Sequence, residues 1–219
     1  MALYYYYHYY HYLTNDIFDR EARFLEQVMA PLVARHPNLK IVLEHATTAD
    51  AVNFVNAAGP NVACSLTAHH LLASRNAMLV GGLKPHLYCL PILKAEPHRQ
   101  ALLKALASGS PQFFAGTDSA PHEIASKHTA CACAGVFTGL HPLELYAEAF
   151  EEAGASGEQL GRFLCASGAA FYGLEPNEGP GAVLVRAPTA VPERVPFGDG
   201  ADAVVPFRAG MEIGWSREE

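Results

Sequence analysis

The sequence lacks an excess of positive charge, a paired-cysteine pattern and any long apolar run. Its 219 residues carry a formal net charge of −7, with 17% charged and 50% hydrophobic residues. A negative chain repels phosphate backbones and anionic lipid surfaces, which argues against both as main partners. No apolar stretch approaches the roughly 20 residues needed to cross a bilayer. The composition is that of a globular protein with a hydrophobic core.

The five cysteines form neither a disulfide scaffold nor a zinc ribbon. Cys64, Cys89, Cys131, Cys133 and Cys165 are an odd number at irregular spacing. The Cys131-x-Cys133 pair is too closely spaced for a zinc ribbon, and no second pair accompanies it. Reduced thiols in a cytosol-like compartment are the better interpretation.

The chain begins with a tyrosine-rich segment, MALYYYYHYYHYL, which holds seven of the ten tyrosines. It has neither the basic start and cleavage site of a signal peptide nor the Arg/Ser pattern of a transit peptide. His8 and His11 have the i, i+3 spacing of a metal pair on a helix. A low-complexity leader over residues 1–14, without fixed structure, is the favoured interpretation, and a gene-boundary artefact would look the same.

The rest of the chain alternates between predicted strands and helices, which is the pattern of an α/β fold. Short apolar runs predict strands at 39–44, 61–66 and 112–116. Apolar periodicity and capping residues predict helices that begin at Asn15 or Asp16, at Thr47 or Thr48, and near 98, 141 and 156. Residues 68–94 are predicted to be a long functional connection that holds a short helical piece and a Gly81-Gly82 turn, and residues 175–219 small edge strands or irregular structure.

One strand ends in a pattern that suits chemistry. The apolar run 113–115 stops at Gly116-Thr117-Asp118, and His122 follows four residues after the aspartate. Catalytic residues of α/β barrels lie at the carboxyl ends of strands, and this pair suits a metal site or an acid–base pair. From spacing alone, an aspartate that caps the next helix beside an exposed loop histidine is an equally good interpretation.

Several blocks carry a more specific signal: EHATT at 44–48, GGLKPHLYCLPILK at 81–94, GTDSAPH at 116–122, CACAG at 131–135 and FYGL at 171–174. Together they resemble dihydroorotases of the bacterial and plant type, members of the metal-dependent amidohydrolase superfamily. The resemblance runs from about Asp16 to Ser216. It implies an incomplete TIM-type (β/α) barrel at 15–174, roughly the last three strand–helix units, with a C-terminal extension at 175–219 packed on it.

The resemblance also implies a reaction and a set of site residues. Dihydroorotases reversibly hydrolyse dihydroorotate to N-carbamoyl-aspartate in pyrimidine biosynthesis, use two zinc ions (Zn), and are homodimers when complete. His45 matches a zinc ligand, and Asp118 matches an aspartate that binds zinc and serves as general base and acid. His122 and the backbone of Ala134 match groups that hold the substrate carboxylate, and the backbone of Leu90 matches a contact to the pyrimidine ring.

The chain departs from the family at the other ligand positions. It has no matching His-x-His with its following arginine, no matching carboxylated lysine and no matching fifth-strand histidine. We therefore expect the chain alone to bind zinc substoichiometrically and to be inactive. A non-catalytic binding or assembly remnant and a hydantoinase- or allantoinase-like enzyme are the alternatives. The expected location is cytoplasmic, or an organelle if a transit peptide preceded the chain.

A partial barrel also has a consequence for solubility. Because the opposite strands are missing, we expect Ile41, Leu43, Val62 and Phe113, or their alternates, to be exposed to water. Exposed strand edges and faces favour aggregation or oligomerisation.

Overall fold

A parallel three-stranded sheet forms the centre of the computed structural model, which describes residues 15–175, 177–200 and 202–218. The strands are β1 (Ile41–Leu43), β2 (Val62–Leu66) and β3 (Phe113–Ala115), in the order β1-β2-β3. Both neighbouring pairs are parallel. The three predicted strands are confirmed, whereas the tyrosine-rich segment with His8 and His11 lies outside the described residues.

Short helices connect and cover the strands. They are α1 (Arg20–Phe24), α2 (Ala30–Arg35), α3 (Ala49–Ala57), α4 (Ala68–Leu72), α5 (Arg75–Leu79), α6 (Glu96–Ser108), α7 (Ile124–Lys127), α8 (Pro142–Glu152), α9 (Gly157–Gly161) and α10 (Ser167–Tyr172). A π-helical segment joins α1 to α2 (Leu25–Met29) and another joins α9 to α10 (Arg162–Ala166). In the described part of the chain, no helix is both long and apolar enough to cross a membrane.

Capping residues explain where several helices begin. The Thr48 hydroxyl accepts a hydrogen bond from the Ala51 N–H at the start of α3, as one of the two predicted caps. Ser156 and Gln159 form the predicted capping box of α9. The first helix begins later than predicted, because the Asp16 carboxylate accepts from the Phe18 N–H and holds the chain in a turn.

The strands are not exposed as the partial-barrel hypothesis predicted. Val62 and Phe113 are each 1% exposed and Leu43 is 8% exposed. Phe113 packs in the main hydrophobic core. The next side chain on β3, Phe114, points the other way and packs on α10, with ring centroids 6.1 Å from Phe171 and 5.9 Å from Tyr172. The last helix therefore covers a sheet face that was expected to meet water.

The C-terminal segment contains three antiparallel strand pairs, which agrees with small edge strands, one of the two predictions for this segment. They are β4 (Leu184–Val185) with β9 (Ser216–Arg217), β5 (Thr189–Ala190) with β8 (Glu212–Ile213), and β6 (Val195–Phe197) with β7 (Asp202–Val204). Two carboxylates of α8 hold this segment: Glu148 accepts from the Gly214 N–H at 2.8 Å, and Glu151 accepts from the Trp215 indole at 3.0 Å. A domain boundary at residue 175 stays a prediction.

Candidate active site at the carboxyl ends of the strands

His45 lies in the turn that follows β1. Its φ of +43° is left-handed, a conformation that non-glycine residues adopt only where neighbouring contacts enforce it. Two hydrogen bonds to β2 hold the backbone in this conformation. The His45 N–H donates to the Ser65 hydroxyl at 2.8 Å, and the Ala46 N–H donates to the Ser65 carbonyl at 3.2 Å. The position of His45 is therefore fixed by the neighbouring strand.

A buried network holds the next residues of the same turn. The Glu21 carboxylate, from α1, accepts hydrogen bonds from the Thr47 N–H at 3.0 Å, from the Thr47 hydroxyl at 2.6 Å and from the Thr48 hydroxyl at 2.5 Å. Lys94 donates to the Thr47 hydroxyl and to the Ile92 carbonyl, each at 2.9 Å. Lys94 is 5% exposed, and this burial lowers its pKa. We call Glu21, Thr47, Thr48 and Lys94 the turn clamp.

Asp118 lies at the corresponding place after β3 and has nearly the same backbone conformation, with φ of +42°. Its turn also contacts Ser65, because a Cβ on Gly116 would come within 2.7 Å of the Ser65 Cβ. Ser65 thus touches both turns from the middle strand. Asp118 is exposed at the edge of the sheet where the strands end, which we call the rim and which includes the turns of His45 and Asp118. Partial burial of the Asp118 carboxyl raises its pKa. The charge of His45 opposes this shift, and the charge of Glu44 adds to it. His45 and Asp118 are therefore within electrostatic reach of each other.

The three residues predicted to contact substrate belong to two loops that are joined to each other. His122 Nε2 donates to the Ala134 carbonyl at 3.0 Å. The Gly135 N–H donates to the Tyr88 carbonyl at 2.9 Å, which connects this loop to the segment that contains Leu90. Among the described residues, no hydrogen bond engages the backbone N–H of Leu90 or of Ala134. Both N–H groups are thus free to bind a ligand.

A buried lysine links these loops, and its position was not predicted. Lysine is almost always a surface residue, but Lys127 is 2% exposed. Its ammonium donates to the carbonyls of Tyr88, Cys133 and Gly135 at 3.0, 2.8 and 2.8 Å. Gly135 must be glycine here, since a Cβ would lie 2.5 Å from the Ala120 carbonyl oxygen. The one available sequence signal was the position of Lys127 between the two motifs that it connects.

Sequence reasoning also missed a buried cluster next to the rim. His69 and His70, on α4 directly after β2, lie beside Cys89, and their ligand atoms are all within 4.8 Å of one another. Burial lowers the pKa of His69 to about 3, with a smaller contribution from the charge of His45. The adjacent histidines after a predicted strand were the signal, but the prediction for this segment, a functional connection with a short helical piece, gave them no role.

Comparisons with known proteins agree with the resemblance described above. No model of a known protein family matches the chain. A dihydroorotase of Vibrio campbellii is 56% identical over 200 residues, which are 91% of this chain and 57% of the relative. A dihydroorotase of Nitrosococcus oceani is 52% identical over 204 residues, 93% of this chain and 58% of the relative.

Solved structures give the same result for the fold. The dihydroorotase of Campylobacter jejuni superposes with a TM-score of 0.82 at 30% identity, over 94% of this chain and 59% of that one. The dihydroorotase of Saccharomyces cerevisiae, in complex with 5-fluoroorotic acid, superposes with a TM-score of 0.81 at 31% identity, over 93% of this chain and 57% of that one. A D-hydantoinase, at 14% identity and a TM-score of 0.68, shares the fold alone. By sequence and by fold the chain is similar to the dihydroorotases, and it spans somewhat more than half of the length of the relatives it matches.

Proposed function

We propose that this chain contributes the carboxyl-terminal part of a dihydroorotase active site, and that it needs further residues of such an enzyme for turnover. The reaction is the reversible hydrolysis of dihydroorotate to N-carbamoyl-aspartate. The observation that carries the proposal is the placement of His45 and Asp118. They occupy equivalent left-handed turns after β1 and β3, both pressed against Ser65 of the strand between them.

The donor types at this rim fit zinc. An imidazole and a carboxylate are ordinary zinc ligands, and His45 and Asp118 would be the residues that hold the metal. When bound, zinc polarises an amide carbonyl and lowers the pKa of a coordinated water. Two protein ligands leave the coordination of even one ion incomplete, so tight binding of two ions requires ligands from beyond these two turns. This requirement supports the expectation that the chain alone is inactive.

Asp118 is proposed to take the proton from the attacking water and to return it to the leaving nitrogen. A general base must lie within hydrogen-bond reach of the proton it moves, and a carboxylate exposed at the rim meets this need. The turn clamp and Ser65 position the neighbouring His45 without contacting substrate.

The substrate carboxylate is proposed to bind between the two joined loops. The free N–H groups of Leu90 and Ala134 provide two donors, and His122 provides a third. Because His122 Nε2 already donates to the Ala134 carbonyl, the ring donates to substrate through Nδ1 only when both nitrogens carry protons. A doubly protonated imidazole would donate a charge-assisted hydrogen bond to the carboxylate, which is stronger than a hydrogen bond between neutral groups.

The finer architecture follows from the same proposal. The parallel sheet would be part of a TIM-type barrel, residues 15–174, with 175–219 packed outside it. Among the described strands, β1 and β3 each have one unpaired edge, where further barrel strands would continue the sheet. A homodimer in the cytoplasm is the corresponding expectation for the complete enzyme. The hydantoinase-like alternative is less favoured, because those structures share 14–20% identity with the chain.

A chimera tests the proposal. Residues 16–219 would be joined to the part of the Vibrio campbellii relative that lies outside its match to this chain. With zinc, the chimera should hydrolyse dihydroorotate, whereas the chain alone should not. Asp118→Asn should lower kcat about 100- to 10,000-fold, the usual contribution of a general acid–base group. Asp50→Asn, an exposed aspartate on α3, is the matched control and should leave kcat unchanged.

A further inference from the structure

The buried cluster of His69, His70 and Cys89 has the dimensions of a metal site. The three residues are 1%, 3% and 2% exposed. His70 Nε2 lies 3.7 Å from Cys89 Sγ. In a tetrahedral zinc site, ordinary Zn–N and Zn–S bond lengths place nitrogen and sulfur about 3.6 Å apart. This pair is therefore already at ligand spacing.

His69 supplies an independent observation. Neither of its ring nitrogens has a hydrogen-bond partner, although the ring is almost completely buried. Buried polar groups are normally hydrogen-bonded, because an unpaired one loses its interactions with water and gains nothing in return. Its ring centroid is 4.3 Å from that of His70, and its ligand nitrogen is within 4.8 Å of the other two ligand atoms. A bound cation would give this nitrogen its missing partner.

The surroundings offer a fourth donor and an orienting contact. The Pro91 carbonyl oxygen lies 2.9 Å from His70 Nε2 and 3.2 Å from Cys89 Sγ, and it accepts a hydrogen bond from each. A cation among these atoms would replace both protons and leave the carbonyl oxygen as a further oxygen donor. His70 Nδ1 would then donate to the Thr67 hydroxyl at 2.7 Å, a contact that fixes the ring as outer hydrogen bonds do in metal sites.

We propose that His69, His70 and Cys89 bind one divalent cation of the zinc class, at a site separate from the rim residues His45 and Asp118. Nitrogen and sulfur donors together select a borderline metal over magnesium or calcium. On binding, the Cys89 S–H bond breaks, the sulfur forms a bond to the cation, and the proton leaves to solvent. Burial raises the pKa of the Cys89 thiol to about 12, and a cation beside the sulfur would stabilise the thiolate.

This proposal changes one expectation drawn from the sequence. A chain with only His45 and Asp118 should bind zinc substoichiometrically, whereas a chain with the buried cluster should retain one equivalent. The inference does not depend on the proposed hydrolase activity, because none of the three cluster residues has a role in it.

Cobalt(II) is the probe, because a cobalt–thiolate bond gives a charge-transfer band in the near ultraviolet. The starting protein would carry serine at the three more accessible cysteines, Cys131, Cys133 and Cys165. It would be refolded from denaturant with cobalt(II) and a non-thiol reductant, so that burial does not limit loading. We expect one equivalent of cobalt with the thiolate band. Cys64→Ala, which removes the other buried thiol, should keep the band, and Cys89→Ser should abolish it.

Further variants separate the cluster from the rim. His69→Gln should weaken cobalt binding at least about 10-fold, since one of three side-chain ligands is lost. His45→Ala combined with Asp118→Asn should leave the band and its stoichiometry unchanged. Three results would each overturn the proposal: no thiolate band in refolded protein, a band that survives Cys89→Ser, or a band lost with the His45 and Asp118 substitutions. If Cys89→Ser fails to fold, unchanged affinity in His69→Gln serves as the refuting result.

Discussion

Replacing Glu21 with glutamine should destabilise the fold more than any exposed charge substitution on the same helix. The Glu21 carboxylate accepts hydrogen bonds from the N–H and hydroxyl of Thr47 and from the hydroxyl of Thr48. Glutamine keeps one acceptor oxygen but introduces an amide that must donate, and it removes the negative charge near the buried Lys94 ammonium. The hydroxyl of Thr47 or of Thr48 then faces an amide N–H and loses the acceptor for its own proton.

The expected loss is about 2–4 kcal/mol in the free energy of unfolding. A hydrogen bond to a charged group contributes about 1.5–3 kcal/mol, and a buried ammonium without its counter-charge adds a further penalty. The matched control is Glu26→Gln, also near the start of the chain's first helical segment. Within the described part of the chain Glu26 pairs with Arg23 alone, and both side chains are more than half exposed, at 68% and 54%. Exposed pairs of this kind contribute about 0–1 kcal/mol.

Urea denaturation followed by circular dichroism would measure both variants. The reasoning predicts a lower midpoint with an unchanged m-value for Glu21→Gln, and almost no change for Glu26→Gln. A double-mutant cycle with Lys94→Met isolates the interaction between the Glu21 and Lys94 charges. The double variant should lose less free energy of unfolding than the two single variants lose together. If Glu21→Gln lies within about 0.5 kcal/mol of Glu26→Gln, the turn clamp does not hold the His45 turn and the magnitude argued here is wrong.

Two further predictions concern packing and pH. Gly116→Ala should lower the free energy of unfolding by about 1–3 kcal/mol, because the new Cβ meets the Ser65 Cβ at 2.7 Å. The control, Gly161→Ala, places a Cβ with nothing within 4 Å and should be neutral or stabilising. Equal unfolding midpoints of the two variants in urea would contradict this prediction. Hydrogen bonds from Arg99 lower the pKa of Glu96 from 4.5 to about 2. A lowered carboxyl pKa stabilises the fold above the unfolded value, and this contribution is lost as the pH falls from 4.5 toward 2. Unfolding of Glu96→Gln should therefore depend less on pH across that interval, and a profile as steep as that of the unchanged chain would refute the assignment.

Local sequence patterns were sufficient for the sheet and for part of the site. Each strand is a short apolar run that ends in a polar turn, so the positions of His45 and Asp118 after β1 and β3 follow from the sequence. The Thr48 cap and the Ser156–Gln159 capping box are equally local, because their partners lie three residues away.

Interactions between distant residues were beyond such reasoning. Lys94 and Lys127 can be buried because hydroxyl and carbonyl oxygens accept hydrogen bonds from their ammonium groups, and a charged residue alone gives no sign of this. The covering of Phe114 by Phe171 and Tyr172 joins residues more than fifty positions apart. The exposed sheet face was therefore predicted wrongly. The two π-helical segments have no signal in the sequence that we can identify.

Hydrolysis of dihydroorotate by the zinc-loaded chimera, compared with its Asp118→Asn variant, is the decisive measurement for the proposed active site. We expect turnover in the chimera, a kcat about 100- to 10,000-fold lower with asparagine at position 118, and no turnover by the chain alone. A folded, zinc-loaded chimera without activity, or one whose activity is indifferent to Asp118, would contradict the proposal.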